Sequence, residues 1–205
     1  MAFLRDLRFS EAYKRRTLII GDVGSGKTAL TARLLEEAIM NFGVGKITVI
    51  DMAPGSVQFK GIKVGGLISD SLKKHARLRL LTPRLKLHAP RIEGRTADRV
   101  LQLARGNASI IDELLQRYIS DPTPILFVND VSIYLQAGNV NTLLKAVLLA
   151  RTFVGNSYSG LTLEQDSQSD LSQRERTGLT ALKKIMDKVL TINSACIIEQ
   201  DRRIK

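Results

Sequence analysis

Eight consecutive residues carry the clearest chemistry in this sequence: Gly21-Asp22-Val23-Gly24-Ser25-Gly26-Lys27-Thr28. They match the pattern G-x-x-x-x-G-K-[ST]. Glycines let the main chain curl into a nest of inward-pointing N–H groups, a concavity suited to a phosphate chain. The first turn of a following helix adds positive potential at the same point. In such a loop Lys27 reaches the β- and γ-phosphates of a nucleotide, and the Thr28 hydroxyl ligates Mg²⁺. All eight residues are therefore candidate nucleotide-binding positions. The alternative is a glycine-rich turn that merely joins strand to helix. The apolar run Thr17-Leu18-Ile19-Ile20 before the octapeptide and the helical spacing after it favour the phosphate reading.

A loop of this kind needs a second acid for the metal, on a neighbouring strand. Ile125-Leu126-Phe127-Val128 reads as a buried strand, and Asn129-Asp130 follows it. Four apolar residues and then an acid make Asp130 the candidate metal ligand beside Thr28. Asp51, closing the apolar run Ile47-Thr48-Val49-Ile50, is its rival. Chain distance favours Asp130, because Asp51 lies on the first strand after the loop's helix. No N-K-x-D element for guanine is present, so ATP is the expected nucleotide by elimination.

The elements that must position these residues alternate in type. Helical spacing covers Thr28 to Phe42, and the strand Ile47–Ile50 follows. Glycines at 55, 61, 65 and 66 then suggest short strands or a hairpin. Arg77-Leu78-Arg79-Leu80 and Arg84-Leu85-Lys86-Leu87-His88 alternate basic and apolar residues, as strands with one wet face do. Arg95 to Ser120 is the longest helical stretch, stopped by Pro122 and Pro124. After the strand at Ile125–Val128 come a helix near Thr142–Ala150 and a strand at Thr152–Gly155 that ends in Asn156. A polar loop is expected over Ser157–Arg176 and a helix near Leu179–Met186. Val189–Ile192 and Ala195–Ile198 then form a closing hairpin. Alternating strands and helices predict an α/β fold: a mostly parallel central sheet, helices on both faces, and a C-terminal β-hairpin.

Composition sets the bounds. The chain has 205 residues, 44% apolar and 25% charged, which fits one domain and excludes a fibrous or wholly disordered chain. The expected organisation is a single domain over 1–205 with a basic strand and loop insertion at about 55–95. Cys196 is the single cysteine, so no intrachain disulfide forms, and His75 and His88 are too few for a structural zinc. No apolar run approaches the ~20 residues of a membrane span. Charges interrupt Met1–Asp6 too early for a secretory signal, which points to the cytoplasm.

The net charge of +11 is uneven. Residues 71–105 hold ten basic and two acidic residues, whereas 106–205 balance at eleven of each. Arg77, Arg79, Arg84 and Lys86 could contact nucleic acid, a protein partner or another copy of the chain, or form a solvated basic face. The same segment has no aromatic residue, so it offers no base stacking.

Taken together, residues 15–52 and 124–205 resemble the P-loop NTPases, and within them the RecA-like branch. Ile50-Asp51-Met52-Ala53 is similar to the RecA-type strand that ends I-D-x-E, and Asn156 sits where such folds place a polar sensor of the γ-phosphate. The last hairpin, running into Asp201–Lys205, resembles one that offers a basic residue to a neighbouring subunit. Two departures concern the water-activating glutamate: its expected positions hold Ala53 and Val131. The resemblance implies a Mg-dependent, slow ATPase coupled to a nucleic-acid or protein partner, with Lys27, Asp51 and Asn156 as catalytic candidates. Asn129 could only orient a water, and Glu164 would need its loop to close.

Corrinoid adenosyltransferases share a P-loop and a long central helix, but their loop is closer to G-x-G-K-G-K-T-T. Gly45–Asp51 is similar to the second motif of MinD/ParA-type ATPases, which carry an extra early lysine where this chain has Asp22. The other readings are thus a small-molecule transferase with ATP as donor and a nucleotide-gated switch.

Overall fold

A computed structural model describes residues 7–59, 61–72, 75, 77–163, 168–193 and 197–201. Met1–Asp6, Lys73, Lys74, Glu164, Cys196 and residues 202–205 lie outside the described residues. The architecture is α/β. The helices are α1 (Phe9–Ala12), α2 (Lys27–Phe42), α3 (Pro90–Glu93), α4 (Ala97–Ser120), α5 (Val131–Leu135), α6 (Val140–Leu149) and α7 (Leu171–Lys184). The strands are β1 (Arg16–Gly21), β2 (Ile47–Asp51), β3 (Val57–Phe59), β4 (Ile62–Val64), β5 (Arg79–Leu81), β6 (Ile125–Asn129), β7 (Thr152–Tyr158), β8 (Lys188–Ile192) and β9 (Ile197–Asp201).

Seven strands form the central sheet, in the order β5-β2-β6-β7-β1-β8-β9. All neighbours pair in parallel except β8 and β9, which close the sheet as an antiparallel C-terminal hairpin. β3 and β4 make a separate two-stranded hairpin.

Period-two alternation sends successive strand residues to opposite sheet faces. Ile19, Ile47, Val49, Ile125, Phe127 and Val154 pack with Phe9 of α1 and with Leu30, Leu34, Leu35 and Ala38 of α2. Leu18, Ile50, Leu126, Val128 and Phe153 pack on the other face with Ile111 and Leu115 of α4, Leu143 and Val147 of α6, and Leu182 of α7. The fully buried strands read as continuous apolar runs for this reason. Thr96 caps α4 by accepting a hydrogen bond from the Arg99 N–H, so the helix starts two residues later than its periodicity suggests.

Three expectations are corrected. The polar stretch after Asn156 is shorter than read, because β7 extends to Tyr158 and α7 begins at Leu171. Leu171, Glu175 and Leu179 are buried on one side of α7, a helical face that its Ser, Gln and Arg residues obscured. Arg84–His88 is not a strand; its main chain is held to α4 instead, where His88 N–H donates to Asn107 Oδ1 and Asn107 Nδ2 donates to the His88 carbonyl. Of the basic alternation only Arg79–Leu81 enters the sheet, as an edge strand beside β2. No helix among the described residues is long and apolar enough to cross a membrane.

Candidate functional site

The octapeptide joins the C-terminal end of β1 to the first turn of α2, at the sheet end where ligands bind in open parallel sheets. Gly24 and Gly26 have φ of +70° and +90°, which side chains with a Cβ rarely adopt, so the loop's curl depends on them. Gly21 meets a different limit: a Cβ there would lie 2.5 Å from the Ile192 carbonyl oxygen and 2.7 Å from Ser25 Oγ. Lys27 folds back over the loop, donating to the Asp22 carbonyl at 2.6 Å and to Ser25 Oγ at 3.4 Å. Burial pushes its ammonium below the ordinary lysine range, against the attraction of Asp130 and Asp22.

A network of short polar side chains lies under the loop. Thr28 Oγ1 donates to Asn129 Oδ1 at 3.4 Å, and Asn156 Nδ2 donates to the same oxygen at 2.9 Å. Asn129 Nδ2 donates to Asp51 Oδ1 at 2.8 Å and to the Gly66 carbonyl at 3.2 Å. Asn156 also donates to Thr31 Oγ1 at 2.9 Å, and its own Oδ1 accepts the Asp130 N–H at 2.9 Å. These residues share a face by parity. Asp51 follows Ile47 and Val49, Asn129 follows Ile125 and Phe127, and Asn156 follows Val154, all on the α2 side of the sheet.

Asn129 and Asp130 take different places beside the loop. The side chain that meets Thr28 is Asn129, the last residue of β6, and not Asp130. Asp130 stands one residue further, in a left-handed conformation with φ 59° and ψ 62° that is costly for a non-glycine residue. The Asn156 side chain holds its N–H, and the Ser132 hydroxyl donates to its carboxylate. Asp130 lines a cavity of about 370 Å³ together with Val23, Gly24, Lys27 and Thr28. Burial raises its carboxyl above the ordinary aspartate range, opposed by the Ser132 hydroxyl and by the charges of Lys27 and Arg91.

Asp51 does not line the cavity. It is fully buried, and it accepts from Asn129 Nδ2, from the Ile68 N–H at 2.7 Å and from the Ala53 N–H at 3.2 Å. Burial raises its carboxyl and these donors oppose the shift. A base must reach the group it deprotonates; in this geometry Asp51 instead holds Asn129 and two main-chain N–H groups, which fits a positioning residue. Asn156 lines the cavity and is 1% exposed, with both amide hydrogens and its oxygen engaged in the network.

The cavity continues past the loop. Ala53, Pro54, Val57, Val64, Leu67, Pro90 and Ile133 add apolar wall, and Tyr158, Arg91 and Gln136 add polar groups. Arg91, one of the ten basic residues of 71–105, has a side chain only 7% exposed. Its guanidinium donates to Glu175 at 2.8 Å and to Ser172 Oγ at 3.2 Å, and lies 5.8 Å from the Tyr158 ring centroid. Glu175 also accepts from Gln136 Nε2 at 3.0 Å. None of Arg77, Arg79, Arg84 and Lys86 lines the cavity. Arg77, Arg84 and Lys86 are exposed, while Arg79 is held by Asp121 and by the Arg117 carbonyl.

No cluster of three or more His, Cys, Asp or Glu residues forms a metal cage among the described residues. The available donors suit a different mode of binding. Thr28, whose hydroxyl donates a hydrogen bond to Asn129, and the carboxylate of Asp130 both line the cavity. Such a sparse set of oxygen donors fits Mg²⁺, which keeps several waters and binds through one or two protein groups plus phosphate oxygens. No protein-family model matches the chain, and no curated protein matches it.

The three donors on Asp51 set up a stability test. An Asp51→Asn side chain offers one acceptor oxygen where two now receive N–H groups, leaving Ile68 N–H or Asn129 Nδ2 facing another donor. The variant is expected to lose about 1–3 kcal/mol in urea unfolding. An unchanged unfolding midpoint would contradict the positioning role.

Proposed function

We propose that the chain binds ATP with Mg²⁺ in the Gly21–Thr28 loop, as a RecA-like P-loop NTPase, and turns it over slowly. The observation that carries this reading is one arrangement: the loop's positive-φ glycines, Lys27 over its centre and Asp130 on the same cavity wall. Lys27 exchanges the Asp22 carbonyl for the β- and γ-phosphates. Thr28 and Asp130 would hold the metal, and Asn129 orients Thr28 by accepting the hydrogen bond of its hydroxyl. The bound Mg²⁺ supplies charge neutralisation at the phosphates. Asn156 acts through Asp130, whose main chain it fixes.

Slow turnover follows from the carboxylates on the wall. Among the described residues only Asp70 and Asp130 line the cavity as acids, and Asp70 is exposed on the turn Ile68–Ser71. With Asp130 engaged by the metal, no buried carboxylate on the wall remains to activate water.

A second reading has its own support. A cavity of about 370 Å³ with apolar walls lies within the range of small-molecule pockets and far exceeds what one attacking water requires. An organic acceptor would then take the transferred group. γ-Labelled ATP separates the two readings: label released only as free phosphate supports hydrolysis, and label or adenosine found on an organic acceptor supports transfer.

Isothermal titration with Mg·ATP tests the main reading. Lys27→Ala is expected to weaken binding about hundredfold, roughly 2.7 kcal/mol, with the thermal unfolding transition retained. Equal affinity for both proteins would remove the assignment. Asp130 also sets a pH limit. Its raised carboxyl protonates at a pH above the usual 3.8, with Lys27 and Arg91 lowering it and the carboxylates of Asp51 and Glu175 nearby. The protonated form cannot ligate a cation, so Mg-dependent affinity is expected to fall as the pH drops through that raised value. Asp130→Asn should lose this acid limb; an identical limb in the variant would assign it to another group.

A further inference from the structure

Asp22, the second residue of the loop, has an unusual set of contacts. Its Oδ1 accepts the N–H of its own neighbour Val23 at 2.7 Å. Its Oδ2 reaches across to the segment after β7, accepting from Thr162 Oγ1 at 2.9 Å, the Leu161 N–H at 3.2 Å and the Thr162 N–H at 3.4 Å. Its carbonyl receives the Lys27 ammonium. The crossing is close: a Cβ on Gly160 would collide with the Asp22 carboxylate, so glycine there lets the carboxylate keep this position. A main-chain bond from Ser159 N–H to the Gly21 carbonyl, 2.9 Å, adds to the attachment.

The contacts to Val23 and Lys27, and the carboxylate's charge, oppose a polyanion in the loop. A phosphate seeks inward N–H groups, and Asp22 occupies the one on Val23. A phosphate seeks the Lys27 ammonium, which now rests on the Asp22 carbonyl. The Asp22 carboxylate, close enough to act on the Lys27 charge, would also be a like charge to any phosphate that Lys27 holds. Burial works against that charge, yet the Val23, Thr162 and Leu161 donors together hold the carboxyl below the ordinary range, so it is anionic at neutral pH.

We propose that Asp22 is an autoinhibitory latch: in the free protein it satisfies the loop internally and pins residues 159–163, and triphosphate binding releases that segment. The inference rests on the nucleotide reading given above. When phosphates draw Lys27 and the Val23 N–H away from Asp22, the carboxylate is left facing a polyanion. Its bonds to Leu161 and Thr162 then break as the side chain turns away. Leu163 and Tyr158 line the cavity, and the Leu163 N–H donates to the Tyr158 hydroxyl at 2.8 Å, so release reshapes the wall next to Arg91.

Hydrogen exchange of the Leu161 and Thr162 amides, followed by NMR with and without saturating Mg·AMP-PNP, tests the latch. Isothermal titration confirms occupancy. In the unmodified protein both amides should exchange at least tenfold faster once the analogue is bound. In Asp22→Ala they should exchange fast in both states, and the analogue should bind about tenfold more tightly. Thr162→Val leaves the octapeptide intact and should shift exchange and affinity in the same directions by a smaller factor. Exchange that is unchanged or slower in the occupied protein overturns the latch, as does weaker or equal binding by both variants. Absence of any Mg·AMP-PNP binding by the unmodified protein overturns the nucleotide reading itself, and the latch with it.

Discussion

The Asn129 side chain is the joint on which the site is assembled. It is a neutral amide placed between an anion, Asp51, and a hydroxyl, Thr28, and it satisfies both at once: Nδ2 faces the carboxylate and Oδ1 faces the hydroxyl. A buried amide without these partners would cost several kcal/mol, so the partners and the amide fix one another. Asp51 lies opposite Asn129 in the β2–β6 register, which sets their separation through the sheet and not through loops. Asn156 closes the arrangement from β7 and passes it on to the Asp130 main chain. Three adjacent parallel strands thus present three short polar side chains to the first turn of α2, and the Gly21–Thr28 loop rests on a rigid base.

Much of this was legible in the sequence. The octapeptide needed only its own residues, because positive φ at Gly24 and Gly26 and the lysine-threonine pair are local requirements. The fully buried strands were legible as apolar runs, and so was the closing hairpin, although its outer strand β9 is an exposed edge strand over Ile197–Asp201 and not the expected Ala195–Ile198. The strand runs one residue past its apolar run, to Asn129, so that Asn129 meets Thr28 while Asp130 stands beside it. Counting by twos from Ile125 and Phe127 puts residue 129, and not 130, on the α2 face. The conformation of Asp130 was not legible at all, since a left-handed aspartate is held there by a side chain 26 residues away.

Arg91 illustrates a different limit. Among ten basic residues in 35 it reads as one more surface cation. Its partner Glu175 sits in a stretch that composition alone marks as a polar loop. Burial of both groups is possible only because each answers the other, with Ser172 and Gln136 taking further hydrogen-bonding positions. Desolvation of such a pair offsets most of its attraction, so it adds little net stability. Its consequence is geometric: α3, α7 and Tyr158 are held together at the far wall of the cavity.

The charges around the loop also bear on what it can hold. Asp130 lines the cavity; Asp51 and Glu175 act on its charge and Asp22 on that of Lys27, against the cations Lys27 and Arg91. Arg91 is already matched by Glu175, so Lys27 is the cation left to meet a polyphosphate, and its charge is itself disfavoured by burial. Main-chain N–H groups add partial positive charge but no full unit. Under the proposed function a triphosphate therefore cannot enter alone without facing Asp130 across a low-dielectric gap. A divalent cation between Asp130 and the phosphates turns that repulsion into attraction on both sides. The metal requirement then follows from the site's own charge balance, and Asp130 becomes favourable only when the ion and the nucleotide arrive together.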